Sequence, residues 1–159
     1  MNYLKDLVMN FPLVCAGSAW IAAQIFKIFT GVFRLQKFSV NAMLFGTGGM
    51  PSSHTAAVCA LCTACALSTG VGTPWFAVSF LLCIIVMRDA TGVRYEAGKQ
   101  AKALNSIIKS LAESKNQSEI DYNLKELVGH TPLQVFFGAL LGIGLPFLMG
   151  LIPMYGIYG

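Results

Sequence analysis

Charge is scarce in this chain. Only 11% of its 159 residues are Asp, Glu, Lys or Arg, against about 25% in an average soluble domain, while 55% are hydrophobic and the mean hydropathy is +0.65. A single domain of this length cannot hide that much apolar surface from water, so the expectation is an integral membrane protein. Aspartate occurs only at Asp6, Asp89 and Asp121. That argues against phosphotransfer chemistry built on several aspartates holding metal. No nucleic-acid motif and no internal repeat occurs, and a formal charge of +4 reads as a topology signal, so nucleic acid is not an expected partner.

A disulfide framework is also missing. Cys15, Cys59, Cys62, Cys65 and Cys83 all fall inside apolar segments, where thiols behave as small hydrophobes. Cys59, Cys62 and Cys65 sit three apart, a spacing open to iron–sulfur or zinc ligation, but the run lacks a fourth partner and lies in a spanning segment. The N-terminus does not read as a signal peptide. Its only early cation, Lys5, sits beside Asp6, and the apolar run leads to Lys27 and Arg34 rather than to a cleavage site.

Apolar runs at 11–33, 53–69, 75–87 and 132–153 predict four membrane spans in one all-α domain covering 1–159. The third run is short for a span and is expected to continue unbroken into RDATGVRYEAGKQAKALN, a helix emerging at the interface. The polar stretch 94–129 has Ala97, Ala101, Leu104, Ile108 and Leu111 at helical spacing opposite Lys99, Lys102 and Lys109, which predicts a basic amphipathic insertion on the membrane surface or on the protein's own helices. Thr131, Pro132 and Gln134 form the pattern of a capped helix start, Gly138 and Gly142 a small-xxx-small pair, and Pro146 a predicted kink. Four spans put both termini on one side and the loops 34–51 and 88–129 on the other. The loop side carries ten of the eleven Lys and Arg residues, Lys5 being the exception. The positive-inside rule makes that side cytoplasmic and the termini external.

The chain is organised around residues 46–55, GTGGMPSSHT. A glycine-rich turn running into a helix start offers unpaired N–H groups and the positive end of a dipole, which suits an anion. Ser52 or Ser53 before an apolar run is equally an ordinary N-cap. Topology alone gathers Lys27, Arg34, Ser52, His54, Arg88, Arg94 and His130 at one interface. Four cations around two histidines at a helix N-terminus describe a phosphate site, and two histidines allow a two-step displacement: one attacks phosphorus, the other protonates the leaving alcohol and then activates water. Lys27 and Arg34 are also readable as snorkelling topology anchors, and His130 as a helix-end histidine. Asp89 and Glu96, seven apart, could hold a divalent cation or join an ion-pair network with Arg88, Arg94 and Lys99.

These residues resemble the type 2 phosphatidic acid phosphatase superfamily, which includes vanadium haloperoxidases, and most closely its small divergent branch. Lys27 and Arg34 keep the spacing of the superfamily's first motif, with Leu35 for its proline. Pro51, Ser52, Ser53 and His54 match Pro-Ser-Gly-His, with serine for glycine. The third motif, Ser-Arg, five residues, His, three residues, Asp, fails as written: counted from Arg88 it meets Arg94 and Gly98. The divergent branch is similar through GGMPSSHTA, the segment from Asp89 to Asn105, and ELVGHTP.

The resemblance implies that the third motif is split by the insertion, with His130 as nucleophile and His54 as leaving-group acid. Lys27, Arg34, an arginine of Arg88 or Arg94, and the Ser52/Ser53 backbone would then stabilise the phosphoryl group. Gln134, four residues beyond His130, is not a carboxylate, so Glu126 or Asp89 is expected to orient the nucleophile. The expectation is a membrane lipid phosphatase acting on a phosphomonoester headgroup, with phosphatidylglycerophosphate preferred. Undecaprenyl diphosphate, phosphatidate and a catalytically silent scaffold of the same fold are the alternatives. No cofactor is required by this mechanism, magnesium is left open, and the expected partners are the lipid substrate, the bilayer and a second copy in a homodimer.

Overall fold

Helices here begin where a side chain can occupy amides that the helix itself leaves unpaired. In the computed structural model, which describes residues 2–33, 50–114 and 130–155, a short exposed helix α1 (Tyr3–Val8) precedes α2 (Phe11–Phe33). Asn10 Oδ1 accepts from Leu13 N–H at 3.1 Å at the start of α2. Ser52 caps α3 (Ser53–Thr69), its Oγ accepting from Thr55 N–H, and Thr73 caps α4 (Pro74–Thr91), which has proline in its first turn. After α5 (Val93–Ser114), α6 (Pro132–Gly150) opens on a full capping box: Thr131 Oγ1 accepts from Gln134 N–H and Gln134 Oε1 from Thr131 N–H. The turn between α3 and α4 uses Gly70 at φ +86°, a conformation that favours glycine. Among the described residues there is no strand.

The packing is inverted relative to a water-soluble bundle. The interior is small: Phe11, Cys15, Ala19 and Ala23 of α2 form a stripe at four-residue spacing against Ala56, Ala60 and Ala64 of α3. Large side chains face outward instead, among them Ile21, Phe29, Leu81, Ile85, Phe136 and Leu148. With hydrocarbon outside there is no gain from burying bulk, and small residues let backbones approach until dispersion and hydrogen bonding hold them. Phe11–Thr30 and Pro132–Gly150 are long and apolar enough to cross a bilayer, as is a run that starts at Pro74.

Helix α3 is the centre of the bundle and touches α2, α4 and α6. At 17 residues it is the short member, which corrects the expectation that the third apolar run falls short. Thr73 and Pro74 start α4 early and Arg88–Thr91 extend it, to 18 residues. Covered by three neighbours, α3 needs less hydrophobicity of its own. A second correction concerns the junction that follows. The helix breaks at Gly92, whose φ and ψ of −103° and −88° are not helical, before α5 starts. Amphipathic α5 is helical over the expected stretch and packs only on α4 among the described elements. The final helix ends at Gly150 rather than near 153, with Pro146 buried inside it.

Helix α6 runs parallel to α3 along its two glycines. A Cβ on Gly138 would lie 2.6 Å from Ser52 O, and one on Gly142 would lie 2.7 Å from Cys59 Cβ and closer still to the Ala56 carbonyl. Backbone cannot move aside cheaply, so Gly142→Ala should destabilise the bundle by about 1–3 kcal/mol, the usual cost of overpacking. Gly144, whose Cβ would meet nothing within 4 Å, is the control: Gly144→Ala should melt at or above wild type in detergent.

Candidate functional site

Three chain segments, α2, the start of α3 and the start of α6, meet at the N-terminal end of α3. Ser52 and Ser53 are fully buried there, at 0% and 1% exposure. Ser52 Oγ is occupied locally, accepting from Thr55 N–H at 3.4 Å and Thr55 Oγ1 at 3.0 Å. Its backbone N–H donates 3.0 Å across to the Gln134 carbonyl of α6. The ordinary N-cap reading of Ser52 is therefore correct, and its amide is already used between helices. Helix geometry leaves the Ser53 N–H as a first-turn donor that the helix itself does not employ.

Lys27 reaches this point from α2. Its ammonium donates to Ser53 Oγ at 3.2 Å, and the side chain is half-buried. A snorkelling anchor would turn outward to the headgroups, whereas Lys27 turns inward onto the motif. Among the described residues it forms no ion pair. A cation held against the positive end of a helix is electrostatically unfavourable unless an anion lies between them. Thr30, nearly one turn further on, donates to the Met50 carbonyl at 3.0 Å, with Lys27 O at 3.2 Å as a second acceptor, and so ties α2 to the residue preceding Pro51.

His130 enters from α6, one residue ahead of its cap. It is buried, at 6% exposure, and its Nδ1 lies 3.1 Å from Gln134 Oε1. The sequence reading passed over Gln134 because it carries no charge. The signal was nevertheless present, since a capping box on Thr131 brings the Gln134 side chain back to the helix start, beside residue 130. His54 occupies the first turn of α3, and its ring is exposed while Ser53 and Thr55 on either side are buried.

The remaining expected residues are less gathered. Arg88 is exposed and Asp89 half-buried near the end of α4, which by antiparallel topology is the same end of the bundle. Arg94 lies in the first turn of α5. Arg34 and Glu126, together with the glycine-rich residues 46–49, lie outside the described residues. Glu96 pairs with Lys99 at 3.0 Å on the exposed face of α5, as in the ion-pair reading. Cys59 and Cys83 touch across α3 and α4, Sγ to Sγ 3.4 Å, and all five cysteines are free and buried. Among the described residues no three His, Cys, Asp or Glu side chains gather as metal ligands.

Beside the motif an apolar groove of about 450 Å³ opens between α2 and α6. Phe26 and Thr30 form one wall, Phe137, Leu140 and Leu141 the other, and Met50 and Pro51 complete the lining beside the start of α3. A groove so lined, on helices with large apolar side chains outward, has room for hydrocarbon beside the start of α3.

A family model described as the divergent PAP2 family matches residues 8–145. An uncharacterized membrane protein of Bacillus subtilis (strain 168), YuiD, is 42% identical over 147 residues, spanning 87% of this chain and 92% of its own. No solved structure matches. The geometry predicts that vanadate or inorganic phosphate raises the melting temperature of the detergent-solubilised protein, by about 2.7 kcal/mol of stabilisation at a hundredfold excess over Kd. Lys27→Met should lose that gain, yet be no less stable than wild type without the anion.

Proposed function

The chain belongs to the divergent PAP2 family, and from that premise we propose that it is a membrane lipid phosphatase, hydrolysing a phosphomonoester headgroup through a phosphohistidine. The observation that carries this reading is a chain of contacts: the Lys27 ammonium lies on the buried Ser53, and the neighbouring Ser52 N–H bonds to Gln134, whose side chain faces His130. The groove ending at Met50 and Pro51 supports a lipid substrate over a soluble ester.

In this mechanism His130 attacks phosphorus as the ester P–O bond breaks, and protonated His54 gives its proton to the departing alcohol. Neutral His54 then takes a proton from water as the water oxygen attacks the phosphohistidine, which releases inorganic phosphate and restores both rings. Lys27, Arg34, an arginine of the 88–94 segment and first-turn N–H groups stabilise the equatorial oxygens. The positive-inside rule places the site at the cytoplasmic face, which favours phosphatidylglycerophosphate, a lipid made on that leaflet. An amide where the superfamily has a carboxylate favours one second reading, a scaffold that keeps the fold without hydrolysis.

Purified protein tested on phosphatidylglycerophosphate, phosphatidate and undecaprenyl diphosphate should release phosphate, fastest from the first. His54→Ala should cost about 10²–10⁴-fold, the range for a general acid, and His130→Ala should leave background only. Folded protein that releases phosphate from none of the three supports the scaffold. Leu140→Trp, which fills the groove, should raise KM for long-chain lipid and leave a short water-soluble phosphate ester unaffected; equal effects on both would remove the groove from substrate binding.

A further inference from the structure

The hydrogen-bond pattern at the start of α6 determines which nitrogen of His130 can react. Gln134 Oε1 lies 3.0 Å from the backbone N of Thr131. An amide N–H only donates, so the atom facing it must be the oxygen of the Gln134 side chain and not its NH₂ group. That same oxygen is 3.1 Å from His130 Nδ1. An oxygen acceptor with two lone pairs can serve both partners, and it requires a proton on Nδ1. In the neutral ring the lone pair then resides on Nε2.

We propose that Gln134 is the positioning residue of His130: it holds the ring in the Nδ1–H tautomer, with Nε2 as the nucleophilic nitrogen, in the place where a carboxylate was expected. The role of Nε2 as nucleophile rests on the phosphatase reading; the tautomer does not. Gln134 is suited to the task because its other groups are also engaged. Its N–H closes the capping box and its carbonyl accepts from Ser52 N–H at 3.0 Å, so one residue aligns His130 with the start of α3. A neutral acceptor orients the ring without adding a negative charge that would stabilise the imidazolium.

The test uses the full chain in detergent with ¹⁵N-labelled histidine. The sequence has two histidines, so His54→Asn assigns the spectrum by removing one. Two-bond proton–nitrogen correlations should show His130 as the Nδ1–H tautomer in wild type, and a shift toward Nε2–H in Gln134→Leu. A wild-type Nε2–H ring, or a tautomer indifferent to Gln134→Leu, overturns the proposal. Should Gln134→Leu fail to fold, Gln134→Glu retains the capping box, for which glutamate is a preferred partner. The other charged or titratable groups described at this end of the bundle, Lys27 on α2, His54 on α3 and Arg88 and Asp89 on α4, are the same in both proteins. The His130 titration midpoint in Gln134→Glu should therefore rise by about one to three pH units, the effect of an adjacent carboxylate, and an unmoved midpoint overturns the proposal.

Where phosphate release is measurable, Gln134→Leu should lower kcat by roughly 10–100-fold, as for other partners that orient a histidine, with KM little changed, and Gln134→Glu should restore activity with its acid limb shifted upward. The expected tautomer in a protein that hydrolyses none of the lipids would refute the phosphatase reading while leaving the positioning result intact.

Discussion

Everything in this molecule that resembles chemistry depends on how closely α6 can approach α3. Gly138 and Gly142 present no side chain where the Ser52 and Ala56 carbonyls pass, so the two backbones lie in contact over more than a turn. Only at that separation can the Ser52 N–H reach the Gln134 carbonyl. That bond sets the start of α3 beside the start of α6, and with them the motif serine beside His130. In hydrocarbon there is no competing water to weaken it, so a buried donor must find its acceptor within the protein. The glycines are thus a geometric condition for the site as well as a packing device.

The same constraint explains the arrangement of side-chain size. Alanine and cysteine line the inside and phenylalanine, leucine and isoleucine the outside because the solvent of this surface is itself apolar. The bundle cannot be held by hydrophobic exclusion, and its specificity comes from complementary small-residue stripes, caps and a few interhelical hydrogen bonds. Polar groups inside it are correspondingly few. Lys27 stands out for that reason: it is a charge placed on a spanning helix and directed toward buried Ser53 at the positive pole of α3. A cation directed at the positive pole of a helix is electrostatically costly, which sets Lys27 apart from the other residues of the spanning helices.

Some of this was legible in one dimension. The all-helical class, the caps at Ser52 and Thr131 and the small-xxx-small pair follow from local rules. Capping needs a particular side chain within three residues, and spanning needs a length of apolar sequence. Membership of the divergent PAP2 family likewise followed from motifs that are contiguous words, GGMPSSHTA and ELVGHTP among them.

Interactions between distant segments were not legible. That Lys27 turns inward, that α3 rather than α4 is the short central helix, and that Gln134 faces His130 each depend on distances set by packing between segments or at a capped turn. Hydropathy and charge record what a residue would cost in lipid or water, and nothing about which partner offsets that cost. For this reason an uncharged glutamine was discounted beside a histidine that was expected to need a carboxylate. By itself the sequence determined which groups are available and which segments are helical; the tertiary structure decided their pairing, because only the close contact of α3 and α6 brings residue 52 to residue 134.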